Sequence, residues 1–147
     1  MMPAEERTTV RVSYRFSVPP RQVFEAWLNA ERAKDWLPNR AAGEELAHVD
    51  LIPKVGRPFL FGLRSPAGAA HTVRGEFLEI IPPRRLVFTW VVPSVSKETT
   101  RVTVELHPSW NQTDLTLKHE RVLPEEYART IAQWNALLER MAASLGR

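Results

Sequence analysis

The sequence predicts an α+β domain in which an antiparallel sheet of about seven strands is covered by a long C-terminal helix. Three observations predict this class. Several segments alternate apolar and polar residues with a period of two, which is typical of strands with one wet face. The last segment instead repeats its apolar residues at helical spacing. Short stretches rich in Pro, Gly and Ser, such as SPAG and PPRR, separate the elements.

The composition limits the function classes. With 147 residues, the chain is expected to form one domain over residues 1–147. It has no Cys, which excludes disulfides, thiol nucleophiles and Cys-based zinc sites. Its 20 Lys and Arg form no sustained basic stripe, so we expect no nucleic-acid partner. No apolar run approaches the roughly 20 residues of a membrane span, and the N-terminal segment lacks the apolar core of a signal peptide. We therefore expect no membrane partner and a cytoplasmic location.

The first strand and two short helices are predicted over residues 8–38. One phase of the strand is apolar and comprises Val10, Val12, Tyr14, Phe16 and Val18. A double proline stops the strand, and the stretch PPRQVFEAWLNAERAKDWLP then predicts two helices broken near Asn29. Trp36 falls in the second helix, where it could close the mouth of a cavity or simply pack against the core.

Six further strands are predicted at about residues 44–52, 57–64, 72–81, 86–92, 99–107 and 113–121. In the stretch VRGEFLEIIPPRRLVFTW, strict alternation would place Glu79 on the apolar side with Phe77. We predict a bulge near Leu78 that returns Glu79 to solvent. If Glu79 faced inward instead, burial would raise its pKa and make it an acid/base candidate.

Both faces of the last two strands predict a single register. A loop over residues 109–112 pairs apolar residues on one face, namely Leu106 with Leu115, Val104 with Leu117 and Val102 with His119. The same register pairs opposite charges on the other face, namely Arg101 with Glu120 and His107 with Asp114. His119 is therefore expected on the inner face and His107 on the outer face, which excludes a metal site shared by the two.

The C-terminal helix is predicted to begin at Pro124 and to run for about six turns. Pro124 suits the first turn of a helix, and Glu125 and Glu126 favour its positive end. Its apolar face comprises Tyr127, Ile131, Trp134, Leu138, Met141 and Leu145. This apolar face is expected to pack against the sheet.

Five stretches carry a resemblance to a known family: SVPPRQVFEAWLNAERAKDWLP, VDLIPKVGRPFLFGLR, GEFLEIIPPRRLVFTW, VTVEL with LTLKHE, and QWNALLERMAASL. With the order of elements, they resemble the START-like helix-grip fold of the SRPBCC superfamily. Within it, the chain is most similar to homologues of the activator of heat-shock protein 90 ATPase. It has Gln133 where the family usually has Gly, and Val55 before Gly56 where the family usually has two Gly. Gln133 thereby enters a helix face that could border a pocket.

The resemblance implies a curved sheet around the C-terminal helix, with a cavity between them that holds an apolar or aromatic small molecule. No cofactor is expected. Two other functions stay open: an enzyme of the cyclase or hydrolase kind that uses the same pocket, and a chaperone-associated interaction module. A chaperone partner is not expected, because the eukaryotic activator contacts the chaperone largely through a separate N-terminal domain. A homodimer is a possible assembly.

The candidate site residues are of two kinds. His119 and Glu79 are the acid/base candidates, although His119 could equally be a histidine with a structural hydrogen bond. The residues expected to contact a ligand, or else to fill a solid core, are Trp36, Phe59, Phe61, Phe77, Phe88, Trp90, Val102, Val104, Leu117, His119, Trp134 and Leu138. No metal site is predicted, since His48 and Asp50 share a strand face without a third ligand.

Overall fold

Seven strands form one antiparallel sheet, in the order β1-β7-β6-β5-β4-β3-β2, in the computed structural model, which describes residues 6–146. The strands are β1 (Thr8–Phe16), β2 (Glu45–Leu51), β3 (Pro58–Arg64), β4 (Ala70–Ile81), β5 (Arg85–Val92), β6 (Ser96–Ser109) and β7 (Gln112–Val122). All seven predicted strands are present. The first ends at Phe16 rather than at residue 18, and the sixth begins three residues earlier than expected, at Ser96.

Three α-helices complete the fold of the described residues: α1 (Pro20–Leu28), α2 (Ala33–Trp36) and α3 (Tyr127–Ser144). A single 3-10 turn, Pro124–Glu126, precedes α3, so the predicted helix begins with a tighter turn than expected. Another 3-10 turn, Arg40–Ala42, leads into β2. The long helix α3 packs against β1 and α2. This arrangement is the helix-grip fold, and no helix within residues 6–146 is long and apolar enough to cross a membrane.

The register of the β6–β7 hairpin confirms the prediction at every pair. Val102 lies opposite His119, and Arg101 lies opposite Glu120. His119 is buried on the inner face and His107 is exposed on the outer face. The loop closes with Ser109 opposite Gln112. The turn itself is therefore only two residues long, and Trp110 in it is 98% exposed and adopts a left-handed φ of 59°.

A bulge in β4 confirms the predicted orientation of Glu79. Phe77 pairs with Phe88 and Glu79 pairs with Val87, so Leu78 is the extra residue of the bulge. Glu79 consequently lies on the convex face of the sheet. There it forms an ion pair with Arg85, which also pairs with Glu105.

Gly75 in β4 lies against Thr89 of β5 and Phe59 of β3. A Cβ atom at this position would lie 1.9 Å from the carbonyl oxygen of Thr89 and 2.6 Å from the Phe59 ring. A side chain cannot be accommodated there without moving backbone. The glycine therefore allows the Thr89 backbone and the Phe59 ring to lie close to β4.

The buried face of α3 differs from the predicted stripe at its first residue. Tyr127, the first residue of α3, is 43% exposed. Ile131 and Leu145 are half-buried. The fully packed residues are Trp134, Leu137, Leu138, Met141 and Ala142, of which Leu137 and Ala142 were not predicted.

Candidate functional site

A cavity of about 310 Å³ opens between the inner face of the sheet and α3. Its volume lies at the lower end of the roughly 300–1,000 Å³ that is typical of small-molecule sites. Its apolar lining comprises Leu37, Leu63, Val73, Trp90, Val92, Val95, Val122, Leu123, Trp134, Ala136 and Leu137. Its polar lining comprises Asn39, Glu44, His71, Ser96, Glu98, Thr100, His119, Arg121, Glu126, Thr130, Gln133 and Arg140.

Two tryptophans form one wall of this cavity. Trp90 comes from β5 and Trp134 from α3, and their ring centroids lie 5.1 Å apart with an angle of 43° between the ring planes. Trp134 is buried, whereas Trp90 is half-buried. Two indole rings offer a large apolar surface on which an aromatic ligand could stack.

Hydrogen bonds behind this wall join the two tryptophans through His119. The indole N–H of Trp134 donates to Nδ1 of His119 at 2.9 Å. Because an indole nitrogen can only donate, the proton of His119 must be on Nε2. Nε2 lies 2.7 Å from Oγ1 of Thr100, and that hydroxyl donates to the carbonyl oxygen of Trp90 at 2.6 Å. The indole N–H of Trp134, both ring nitrogens of His119 and the hydroxyl of Thr100 therefore all have hydrogen-bond partners within this network.

His119 is neutral in this setting. Burial lowers its pKa from the ordinary value of 6.5 to about 4. Its only basic lone pair, on Nδ1, is occupied by the Trp134 N–H. To accept a proton, His119 would first have to lose this hydrogen bond. The histidine is thus held by side-chain partners, and its second nitrogen faces Thr100 rather than open space.

Charged side chains of both signs lie at the mouth of the cavity, and several of them form ion pairs. Glu98 pairs with Arg7 and with Arg121, the latter at 3.8 Å. Glu44 lies 3.6 Å from His71. Glu126, on the helix side, lies 3.8 Å from Arg129.

Arg140 connects the mouth to α2. Its guanidinium donates to the carbonyl oxygens of Trp36 and Leu37 at 3.0 and 3.2 Å. These carbonyls belong to the C-terminal end of α2, where a positive charge is favourable. Burial lowers the pKa of Arg140, and the nearby Glu44 opposes that shift.

Four phenylalanines, Phe59, Phe61, Phe77 and Phe88, form a filled part of the interior. Phe59 lies 5.2 Å from Phe77 and 5.8 Å from Phe88, measured between ring centroids. With Trp27 and Trp36 they surround a space of only about 20 Å³. A space of this size holds about one water molecule. This aromatic cluster is therefore packed core rather than an open site.

The structure divides the twelve residues predicted to contact a ligand into three groups. Those that line the large cavity are Trp90, His119 and Trp134. Those in the aromatic cluster are Trp36, Phe59, Phe61, Phe77 and Phe88. Those buried in the core and bordering neither space are Val102, Val104, Leu117 and Leu138. Of the acid/base candidates, His119 lines the cavity, whereas Glu79 lies on the opposite face of the sheet.

Several lining residues were not singled out from sequence. Thr130 lies one helical turn before Gln133, and Ala136 and Leu137 lie one turn after it. For two of them a signal was available, since Thr130 lies four residues before Trp134 and Leu137 three residues after it. Gln133 itself lines the cavity, as its position beside Trp134 suggested. Across residues 6–146, no three His, Asp or Glu side chains are grouped as metal ligands.

Comparisons with known proteins agree with this fold. Residues 17–146 match the family model described as Activator of Hsp90 ATPase homolog 1-like protein. Protein CV1439 from Chromobacterium violaceum is 26% identical, with a TM-score of 0.79 over 92% of this chain and 96% of that one. Protein NE0264 from Nitrosomonas europaea is 19% identical, with a TM-score of 0.78 over 99% and 97% of the two chains. No curated protein sequence is significantly similar to the chain.

Proposed function

Since the chain belongs to the family of Activator of Hsp90 ATPase homolog 1-like proteins, we propose that it binds an apolar or aromatic small molecule between its sheet and α3. The observation that carries this proposal is the open cavity of about 310 Å³ with Trp90 and Trp134 along one wall. A ligand that stacked on these rings would bury apolar surface of both partners, which is the main source of affinity in such sites.

Neither acid/base candidate predicted from the sequence favours chemical turnover. Of the two acid/base candidates, Glu79 is separated from the cavity by the sheet itself. His119 borders the cavity with both ring nitrogens engaged in hydrogen bonds. A general base needs a free lone pair within hydrogen-bond reach of the ligand. His119 instead supports the two tryptophans that would contact the ligand.

Titration of the neutral fluorescent probe N-phenyl-1-naphthylamine tests the proposal. Trp90→Ala removes part of the wall, and Ala136→Trp places a bulky side chain at the lining. We expect each change to weaken the probe's affinity at least about tenfold, provided that circular dichroism shows a folded chain. Ala132→Trp is the matched control, because Ala132 is exposed on α3 and does not line the cavity.

Two changes on the convex face complete the test. Arg74→Ala and Glu76→Ala remove exposed charges from β4, and both should leave the probe's affinity within about twofold of wild type. Weaker binding in these two variants, with unchanged binding in Trp90→Ala and Ala136→Trp, would place the site on the convex face. Mass spectrometry of small molecules released from the purified protein would then identify a natural ligand.

A further inference from the structure

Arg140 differs from the other charged side chains that line the cavity, because it forms no ion pair with any carboxylate in residues 6–146. Each acidic residue of the lining, by contrast, lies near a basic side chain. We infer that the cavity binds an aromatic carboxylate, whose ring lies on the Trp90–Trp134 wall and whose carboxylate is held by the guanidinium of Arg140. This inference rests on the proposed function and specifies its class of ligand.

Two hydrogen bonds orient the guanidinium of Arg140 and leave part of it open. Its Nε donates to the carbonyl oxygen of Trp36 at 3.0 Å, and its Nη2 donates to that of Leu37 at 3.2 Å. These bonds use two of the five N–H groups of an arginine side chain. The third nitrogen, Nη1, has no hydrogen-bond partner in residues 6–146 and is not buried. The protein therefore fixes the direction of the group, and donors remain for a ligand.

The protein compensates the charge of Arg140 only in part. Burial lowers the pKa of Arg140, because the guanidinium has lost some of its hydration. Glu44 opposes this shift from beyond ion-pair distance, and its own Oε1 accepts the backbone N–H of Asn39 at 2.9 Å. A ligand carboxylate that contacted Nη1 directly would form a charge-assisted hydrogen bond, which is stronger than a bond between neutral groups.

Arg140 also lies at a suitable distance from the tryptophan wall. It follows Trp134 on α3 by six residues, which correspond to about 9 Å along a helix axis. Leu137 lies between them in sequence and lines the cavity. A bicyclic aromatic acid has a similar length, so its ring can lie against Trp134 and Leu137 while its carboxylate reaches Arg140.

Three probes of similar size test this inference by equilibrium dialysis at neutral pH: 2-naphthoate, 2-naphthamide and 2-naphthylmethylammonium. The first is an anion, the second is its neutral counterpart, and the third is a cation. The indole N–H of Trp90 has no partner in residues 6–146, and it can donate to the carbonyl oxygen of either of the first two probes. Only Arg140 distinguishes them by charge. We expect wild type to bind 2-naphthoate at least about threefold more tightly than 2-naphthamide, and the cation most weakly.

Arg140→Gln removes the positive charge and keeps a hydrogen-bonding side chain. In this variant the dissociation constant of 2-naphthoate should rise at least about tenfold, while that of 2-naphthamide stays within about threefold of wild type. Arg140→Lys keeps the charge, and its affinity for 2-naphthoate should lie between those of wild type and Arg140→Gln. The matched control is Arg21→Gln, since Arg21 is exposed on α1 and does not line the cavity. It should leave all dissociation constants within about twofold.

Because Arg140 also holds the end of α2, a purely structural role would weaken 2-naphthoate and 2-naphthamide equally in Arg140→Gln. That result overturns the inference, and so do unchanged affinities in this variant. If Arg140→Gln does not fold, the wild-type measurements decide alone: equal affinities for 2-naphthoate and 2-naphthamide, or tightest binding of the cation, overturn the inference. All of these results leave the proposed function standing if wild type binds N-phenyl-1-naphthylamine. Failure to bind that probe and all three naphthalenes would remove both.

Discussion

At the scale of single residues, His119 shows how the surroundings decide the role of a titratable group. The sequence placed it on the inner face, and left open whether it is a base or a histidine with a structural hydrogen bond. The structure places its two nitrogens between Trp134 and Thr100, at 2.9 and 2.7 Å. These two hydrogen bonds favour the neutral imidazole ring, because a proton on Nδ1 would face the indole N–H of Trp134.

The lowered pKa of His119 predicts a pH-dependent stability. Its folded pKa of about 4 lies below its ordinary value of 6.5, so between these values the unfolded chain binds a proton that the folded chain does not. The free energy of unfolding should therefore fall as pH falls from 6.5 to 4, and His119 should contribute nothing further below 4. The full loss is about 3 kcal/mol. Urea denaturation at pH 7, 6, 5 and 4 measures it.

Two variants identify the group that is responsible. His119→Gln cannot titrate, so its stability should depend much less on pH over this range, although it starts lower. His107→Gln changes an exposed histidine and should keep the wild-type slope. The carboxyl of Asp114, whose pKa the Arg15 hydrogen bond lowers, loses its contribution only at lower pH. An unaltered slope in His119→Gln would show that another group titrates.

At the scale of elements, α3 serves the core with one part of its surface and the cavity with another. Leu138 and Met141 are fully buried, whereas Thr130 and Gln133 border the cavity. Ridges three and four residues apart on one helix allow both uses. The period of the sequence indicated most of the first surface, but it included the exposed Tyr127 and omitted Leu137 and Ala142.

Leu138→Ala tests the placement of α3. Leu138 has no exposed surface, so the truncation should lower the free energy of unfolding by about 2–5 kcal/mol, through lost burial and a residual cavity. Glu139→Ala is the control, because Glu139 is the next residue on the helix and is exposed. Its effect should stay within about 0.5 kcal/mol. Thermal or urea unfolding measures both, and similar losses in the two variants would contradict this packing.

At the scale of the whole molecule, the interior contains a filled aromatic cluster and an open cavity. The aromatic cluster around Phe59 and Phe77 leaves only about 20 Å³, and the space bounded by Trp90 and Trp134 holds about 310 Å³. Trp90 borders both. The stability of the fold should therefore depend mainly on the aromatic cluster, and ligand affinity on the large cavity.

The variant Phe77→Ala distinguishes the role of the aromatic cluster in stability from the role of the large cavity in binding. Phe77 is buried in the aromatic cluster and does not line the large cavity. Its truncation should cost about 3–5 kcal/mol of stability. If the variant stays folded, the affinity for N-phenyl-1-naphthylamine should remain within about twofold of wild type. From sequence alone Phe77 was expected to contact the ligand, and a tenfold loss of affinity in the folded variant would restore that expectation.

The fold was more accessible from sequence than the site for a physical reason. Strand and helix periods are local, and the β6–β7 register was determined because apolar pairs and opposite charges agreed on it. The bulge at Leu78 was also predictable, since Glu79 would otherwise have been buried. Whether Phe88 and Trp90 fill space or border it depends on rotamers and on residues far away in sequence. Periodicity carries no such information.

The arrangement of the five tryptophans has a consequence for spectroscopy. Four of them form a connected series of rings, with centroid separations of 5.5 Å for Trp27–Trp36, 6.2 Å for Trp27–Trp134 and 5.1 Å for Trp90–Trp134. At such distances excitation migrates among the indoles, and a quencher bound at Trp90 or Trp134 dims the whole series. Trp110, 98% exposed at the hairpin tip, emits separately at longer wavelength. The chain thus contains both an optical sensor of its cavity and an internal reference.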